Sequence, residues 1–457
     1  WTGLGSAESA APASSLVSRL TQPNSASSAA TGSGSKGALW EWMRLAAAVP
    51  TATAEDIAKT SDALARQLKA ASSVFRSADI VQIMSGACRL SHRHPPLLDA
   101  VAAHVLRGMP AYPVFAICNV ANCFGRLEYH HKQLMDAVAA HLAQPERAEQ
   151  LTPIDIASLV YAYAQLGHQA GELLEVCVER LGPCASEVGG PNAAIILNSY
   201  ARLSECNPKL FHNLSRSLIK ARPENFDVHH ISLTMNAFAK CSVRKPQLMY
   251  VLGGYLDGRI EDLSPQNVSN VVHAFAKVEC YNHELFYGLQ KRITAEDLTR
   301  YKLYELAIMA HSLAKLKCGG KKIYGTLFAE FSRRAHAADR AWEPQSVVQV
   351  LDASWRRRAY FDEALVLALM GMFLKDFSSY RVHPLTQAAW CLVELDALEL
   401  AARLPLEVVQ ASEGESPSLC LMRRVFERLE ELNLERTLTA TQQQYVQQLI
   451  RVYHFKH

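Results

Sequence analysis

Apolar residues recur along most of this chain with a period near 3.6, the mark of amphipathic helices with one buried face. Within that rhythm a six-residue pattern returns. It reads SGACRL (Ser85 to Leu90), NCFGRL (Asn122 to Leu127), YAYAQL (Tyr161 to Leu166), NSYARL (Asn198 to Leu203), NAFAKC (Asn236 to Cys241), HAFAKV (His273 to Val278) and HSLAKL (His311 to Leu316). Two degraded copies follow, DASWRR (Asp352 to Arg357) and WCLVEL (Trp390 to Leu395), and the steps between copies are 37, 39, 37, 38, 37, 38, 41 and 38 residues. Such a period predicts an all-α fold, an α-solenoid of about nine helix-turn-helix repeats of 37–41 residues.

A second landmark fixes the unit. Twelve residues after the start of each of the first seven copies comes a bulky pair, from Leu97-Leu98 and Leu134-Met135 to Leu285-Phe286 and Ile323-Tyr324. The constant offset predicts a rigid hairpin of two helices, with length variation confined to the loop leading to the next repeat. Proline near the start of the first helix (Pro113, Pro153, Pro191, Pro265, Pro344) suits a first helical turn, where its missing N–H costs nothing.

Columns within the first helix sort by chemistry. The second pattern residue is nearly always small (Gly86, Cys123, Ala162, Ser199, Ala237, Ala274), which lets successive first helices approach closely. The third is usually aromatic (Phe124, Tyr163, Tyr200, Phe238, Phe275) and reads as core. Three columns are polar. Three residues before the pattern stand Gln82, Asn119, Ser158, Asn270, Gln349 and Gln387; at its first position Ser85, Asn122, Tyr161, Asn198, Asn236, His273, His311 and Asp352; at its fifth Arg89, Arg126, Gln165, Arg202, Lys240, Lys277, Lys315, Arg356 and Glu394. At about 100° per residue these columns lie within about 60° of one another and form one face.

Seven of nine repeats thus place a cation in one column, where chance, at 47 Lys and Arg in 457 residues, gives about one. A groove for single-stranded RNA explains the column: spaced cations track phosphates, and the Asn, Ser and His beside them reach base edges. A structural account competes. Each cation falls in the last helical turn, where it offsets the helix dipole by about 0.3–1 kcal/mol, and it could pair with an acid on the second helix.

The remaining composition narrows the classes. Net charge is +3, from 47 basic and 44 acidic residues, so any RNA affinity comes from where the charges sit and not from their sum. The eleven cysteines include no CxxC pair, and most (Cys88, Cys123, Cys241, Cys391) sit in apolar helical stretches as small reduced core residues. The histidine spots (His92 and His94, His130-His131, His229-His230) fall in turns or near helix starts without a metal-site spacing, so no metal or cofactor is expected. The apolar run Ala364 to Leu374 is too short to span a membrane, which takes roughly 20 residues. No phosphate loop, HExxH or GxSxG stands in the sequence, and the expectation is a non-enzyme. Residues 1–37, rich in Ser, Ala and Gly, read as a disordered tail or an organelle-targeting remnant. Residues 38–75 read as capping helices, 76–400 as the repeats and 401–457 as a C-terminal helical segment.

The recurring [NH]-A-[FY]-A-K-[LVC] core, preceded by Pro153, Asp155, Ile156 or Pro265, Asn267, Val268, resembles the heptatricopeptide-type repeats of organelle RNA proteins, relatives of the octotricopeptide class. The resemblance covers roughly residues 76–400. It implies an RNA-binding protein of the mitochondrial matrix, with a plastid as the alternative, that meets rRNA or an organelle transcript together with ribosomal or other organelle proteins. Many such proteins end in a RAP domain; no strand-rich, acid-bearing RAP core follows Leu395 here, so nuclease activity is not carried over. The expectation is a mitochondrial ribosome component holding rRNA, with Arg89, Arg126, Arg202, Lys240, Lys277, Lys315 and Arg356 on phosphates and Asn122, Asn198, Asn236, His273 and His311 beside bases. A protein scaffold, or accessory subunit of an organelle complex, is the alternative. An RNA-processing factor without its RAP domain is the third reading.

Overall fold

A computed structural model describes residues 37–49, 51–70, 75–221, 226–337, 342–410, 416–432 and parts of 443–451. The tail expected at the N-terminus lies outside these residues, as does most of the chain beyond 432. The described residues are helical and contain no strand. They form two compact units, Trp1–Asp227 and Val228–His457, each an array of stacked helical hairpins.

The first unit holds α1 (Gly37–Ala47), α2 (Ala54–Lys69), α3 (Ser77–Arg89), α4 (Pro95–Gly108), α5 (Val114–Arg126), α6 (Lys132–Leu142), α7 (Pro153–Leu166), α8 (Gly171–Leu181), α9 (Gly190–Arg202) and α10 (Pro208–Lys220). Odd-numbered helices pack on odd and even on even, giving two layers. The second unit repeats the plan with α11 (Val228–Lys240), α12 (Pro246–Leu256), α13 (Pro265–Val278), α14 (His283–Arg292), α15 (Leu303–Lys315), α16 (Lys321–His336), α17 (Pro344–Arg356), α18 (Glu363–Lys375) and α19 (Val382–Glu394). There α19 is followed by a 3-10 segment, Leu398–Arg403, and by α20 (Pro417–Glu431), which packs on both.

The hairpin turn explains the constant twelve-residue offset. The seventh residue from each pattern start has positive φ in Ser91, Glu128, Gly167, Ser204, Ser242, Glu279 and Lys317, and again in Asp396. In each case the next N–H bonds to the carbonyl five residues back in the helix, as His92 to Ala87, Glu205 to Tyr200 and Cys280 to Phe275. This is the Schellman ending of a helix, which normally favours glycine; here Gly167 is the one glycine among the eight. Three residues after the left-handed position stands the N-cap of the even helix. His94, His131, Asn207 and Asn282 each accept there from the backbone N–H of the first residue of the bulky pair. The bulky pairs themselves are buried throughout.

The odd layer is closely packed because small residues meet. A Cβ on Gly125, at the fourth pattern position, would fall 2.7 Å from the Cα of Ala162, at the second position of the next repeat. The fourth column, Cys88, Gly125, Ala164, Ala201, Ala239, Ala276 and Ala314, is small and buried throughout, a second small column beside the one read from sequence. The aromatic column is core: Phe124, Tyr163, Tyr200, Phe238 and Phe275 are buried. Tyr163 and Tyr200 donate their hydroxyls to the carbonyls of Met135 and Leu174, each 2.7 Å away on the even helix of the preceding hairpin. Cys88, Cys123 and Cys391 are free and buried. Cys241 departs from the reduced reading, being disulfide-bonded.

The segment expected as capping helices packs like a further hairpin, α1 on α3 and α2 on α4. Its first helix carries WEWMRL (Trp40 to Leu45), with the aromatic third residue Trp42 fully buried.

Candidate nucleic-acid interface

The three polar columns fall on a solvent-facing strip of the odd helices. Asparagines and histidines at the first position are half-buried, set into the strip (Asn122, Asn198, Asn236, His273, His311). Four residues on, one helical turn toward the C-terminus, Arg89, Arg126, Arg202, Lys240 and Lys277 are exposed. The buried faces of the same helices hold the small and aromatic columns, so packing dictates which way the polar columns point.

In the first unit Arg89 and Arg126 form no ion pair with any described residue. Arg202 Nη1 donates to Gln165 Oε1 at 2.6 Å, so fifth-position side chains of neighbouring repeats touch. Tyr161, at the first position of that repeat, is pushed up by burial and drawn back by the charges of Arg202 and Arg126 on either side. At the far end of this layer Arg44 occupies the fifth place of WEWMRL, where Glu41 on the same helix neutralises it at 2.5 Å.

In the second unit Asn236 and Lys240 stand on α11, and Lys277 on α13 forms no ion pair with a described residue. His273 is pushed down to about 4, first by burial and then by the positive fields of His311, Lys277 and Lys315. Lys315 is lowered by burial, opposed by Glu279 at 4.0 Å. Two expected RNA contacts prove to be engaged within the protein. His311 Nδ1 lies 2.8 Å from Asp352 Oδ2, and Arg356 Nε donates to the same oxygen at 2.6 Å. Asp352, read from sequence only as a polar member of the first column, is 1% exposed. Its other oxygen accepts from Gln387 of α19 at 3.2 Å. An acid four residues before an arginine signals their pairing; nothing in the pattern signals the burial. Beyond Arg356 the cation column ends, since Glu394 holds the fifth place of α19 and the buried Trp390 its first.

The alternative account of the column required pairing with acids of the even helices. Among the described residues, Arg89, Arg126 and Lys277 lack such partners, while Lys315 and Arg356 find acids on the odd layer and its turns. No group of three or more His, Cys, Asp or Glu residues is placed to hold a metal ion among the described residues. No described helix is long and apolar enough to cross a membrane.

No curated protein matches the chain in a sequence comparison. A family model described as RNA-editing substrate-binding complex 6 protein matches residues 56–321, from α2 into α16.

Proposed function

The chain belongs to the RNA-editing substrate-binding complex 6 protein family, and from that premise we propose that it is a non-enzymatic scaffold holding single-stranded RNA along the polar strips that the odd helices of each unit present. The observation that carries the reading is the set of exposed cations without acidic partners, Arg89, Arg126 and Lys277, in register with half-buried Asn122 and His273 one turn away. Such a strip neutralises phosphates and offers hydrogen-bonding groups to bases. Arg202, Lys240 and Lys315 extend it. Arg356 acts through Asp352.

On the family description we read the host as an RNA-editing substrate-binding complex in preference to the ribosome. A complex that binds the substrates of RNA editing calls for a protein that holds RNA without changing it. This fits a strip of exposed cations beside half-buried asparagines and histidines. An organelle, the mitochondrion first, is the location we propose, on the resemblance of the repeats to those of organelle RNA proteins.

One observation favours protein partners as well. Helix α12 is an even-layer helix without a single charged residue, and it exposes Tyr250 by 65%. Tyr287 stands in the same register on α14, 56% exposed. Lys291 lies over the Tyr287 ring at 4.2 Å, so the charge-free surface is that of α12, and aromatic surface depleted of charge is typical of the centre of protein interfaces. RNA on the odd layer and protein on the even layer are compatible in one scaffold.

The test is binding of a labelled single-stranded oligo(U) RNA across a salt series, with Arg89, Arg126 and Lys277 changed together to Gln as the comparison. Salt-sensitive binding that the triple change weakens, at unchanged helicity and melting temperature, supports the strip as the RNA groove. Absence of binding at low salt, or binding indifferent to the change, leaves a protein scaffold.

A further inference from the structure

Asp352 is the one acid at the first position of the repeat pattern, and three neighbouring odd helices converge on it. From α15 comes His311, from α17 its own Arg356 and from α19 Gln387. A carboxylate so buried, tied at both oxygens, is a fixed post. Its Oδ2 stands 2.8 Å from Nδ1 of His311 outside hydrogen-bond geometry, which holds the ring in place by close contact and charge, while Nε2 makes no hydrogen bond to a described residue.

The charged and titratable groups around His311 are few. From α13 come His273 and Lys277, with Glu279 just beyond that helix. His311's own helix supplies Lys315, and α17 supplies Asp352 and Arg356. Asp352 is taken up by His311 and Arg356, and Glu279 pairs with Arg244 at 3.1 Å. What remains is a patch where Lys277, Lys315 and the imidazole of His311 share one short stretch of the strip. The basicity of His273 beside them is depressed first by burial and then by that positive field. A purely structural role, in which Asp352 ties α15, α17 and α19 together, accounts for Arg356 and Gln387. It does not account for the two lysines lacking a close acid of their own; Lys315 reaches Glu279 only at 4.0 Å.

We propose that His311, with Lys277 and Lys315, binds a single phosphate group of RNA, and that Asp352 is the positioning residue for that imidazole. The inference rests on the RNA reading of the strip and adds to it the place where the backbone is gripped. Internal phosphodiesters and a terminal phosphomonoester offer the same oxyanion chemistry, so 5′-hydroxyl and 5′-phosphorylated oligo(U) are compared.

The experiment is fluorescence anisotropy of both RNAs with His311→Gln, Asp352→Asn, His311→Lys and the double variant His311→Lys/Asp352→Asn. Lys322→Gln, an exposed charge on α16, is the control, and circular dichroism melting checks folding. We expect His311→Gln to weaken binding about tenfold, the loss of one charge-assisted contact, and Lys322→Gln to leave it within about twofold. Asp352→Asn weakens binding when residue 311 is His and has no further effect when it is Lys, because an ammonium on a flexible stem needs no ring held in place. A role for Asp352 in structure alone gives the same loss in both backgrounds, which overturns the positioning claim. If oligo(U) binds but His311→Gln binds like the native chain, the phosphate site is wrong while the strip reading stands. If neither RNA binds, the strip reading falls. Inorganic pyrophosphate then decides the site: stabilisation against melting that His311→Gln abolishes retains an anion site, and its absence removes it.

Discussion

The indole N–H of Trp42 donates to the carbonyl of Ile83 at 2.9 Å while its ring lies over Gly86, where a Cβ would fall 2.4 Å from Nε1. This pair joins α1 to α3 and sets the first hairpin on the array. Trp42→Ala empties a fully buried site and is expected to cost about 3–5 kcal/mol. Gly86→Ala drives a methyl into the ring and is expected to cost about 1–3 kcal/mol. Urea unfolding monitored by circular dichroism checks both. Losses under about 0.5 kcal/mol would mean that α1 is not held by this contact.

The left-handed residues at the hairpin turns give the second prediction. A side chain at such a φ costs about 1–2 kcal/mol relative to the right-handed region, a cost that glycine avoids but offsets in part through its freer unfolded chain. Ser204→Gly and Ser242→Gly, both exposed, are therefore expected to stabilise by about 0.5–1 kcal/mol each. Ser204→Val, β-branched at φ 64°, is expected to destabilise by at least as much. The sign of each change in melting temperature is the check.

These turns also mark what the sequence could and could not reveal. The repeat period, the twelve-residue offset and the polar face are spaced patterns, and spacing survives when residue identity drifts. The left-handed position did not stand out because serine, glutamate, lysine and aspartate occupy it where glycine would have announced it. The first hairpin was hidden by its interval: WEWMRL begins 45 residues before SGACRL, outside the range of the other steps. At the candidate site, the exposure of Arg89, Arg126 and Lys277 follows from helical phase alone. The diversion of His311 and Arg356 to Asp352 does not, because it depends on a contact across three helices. The sequence places the histidine spots in turns or near helix starts; their detailed roles are contacts that need coordinates. His94 caps α4 with Nδ1 and reaches Asp62 with Nε2 at 3.3 Å. His168 bridges His130 and Asp136 at 2.9 and 3.0 Å.

A different set of histidines, sharing only His168 with these contacts, predicts acid sensitivity. His92, His104, His141, His168, His273 and His383 all hold their protons less tightly than a free imidazole, with burial the leading cause at each. At His168 the nearby Asp136 opposes that effect without reversing it. The unfolded chain therefore binds more protons than the folded one once pH falls below about 6.5. Stability is full above that value and declines as pH drops, with the His273 contribution lost down to about 4. Unfolding free energies measured at pH 7.5, 6.0 and 5.0 should fall in that order, and His273→Gln should flatten the slope. A stability independent of pH across this range would contradict the burial of His168 and the partial burial of His92, His104, His141 and His273.

The last prediction separates two cations that share one column. Arg126 is exposed and forms no ion pair with a described residue, so Arg126→Ala should leave unfolding free energy within about 0.5 kcal/mol. The same change should reduce the salt slope of RNA binding by about 0.7, the share of one single-strand phosphate contact. Arg356 is committed to Asp352 at 2.6 Å. Removing it strips a buried carboxylate of a charged donor, and Arg356→Ala should cost about 1.5–3 kcal/mol of stability while changing the salt slope by less than Arg126→Ala does. Paired measurements on the two variants, urea midpoints and RNA affinity from 50 to 300 mM salt, read both effects. Equal slopes with equal stabilities would mean that Asp352 does not hold Arg356 in solution, and that the cation column is uniform from α3 to α9 and from α11 to α17, each unit taken by itself.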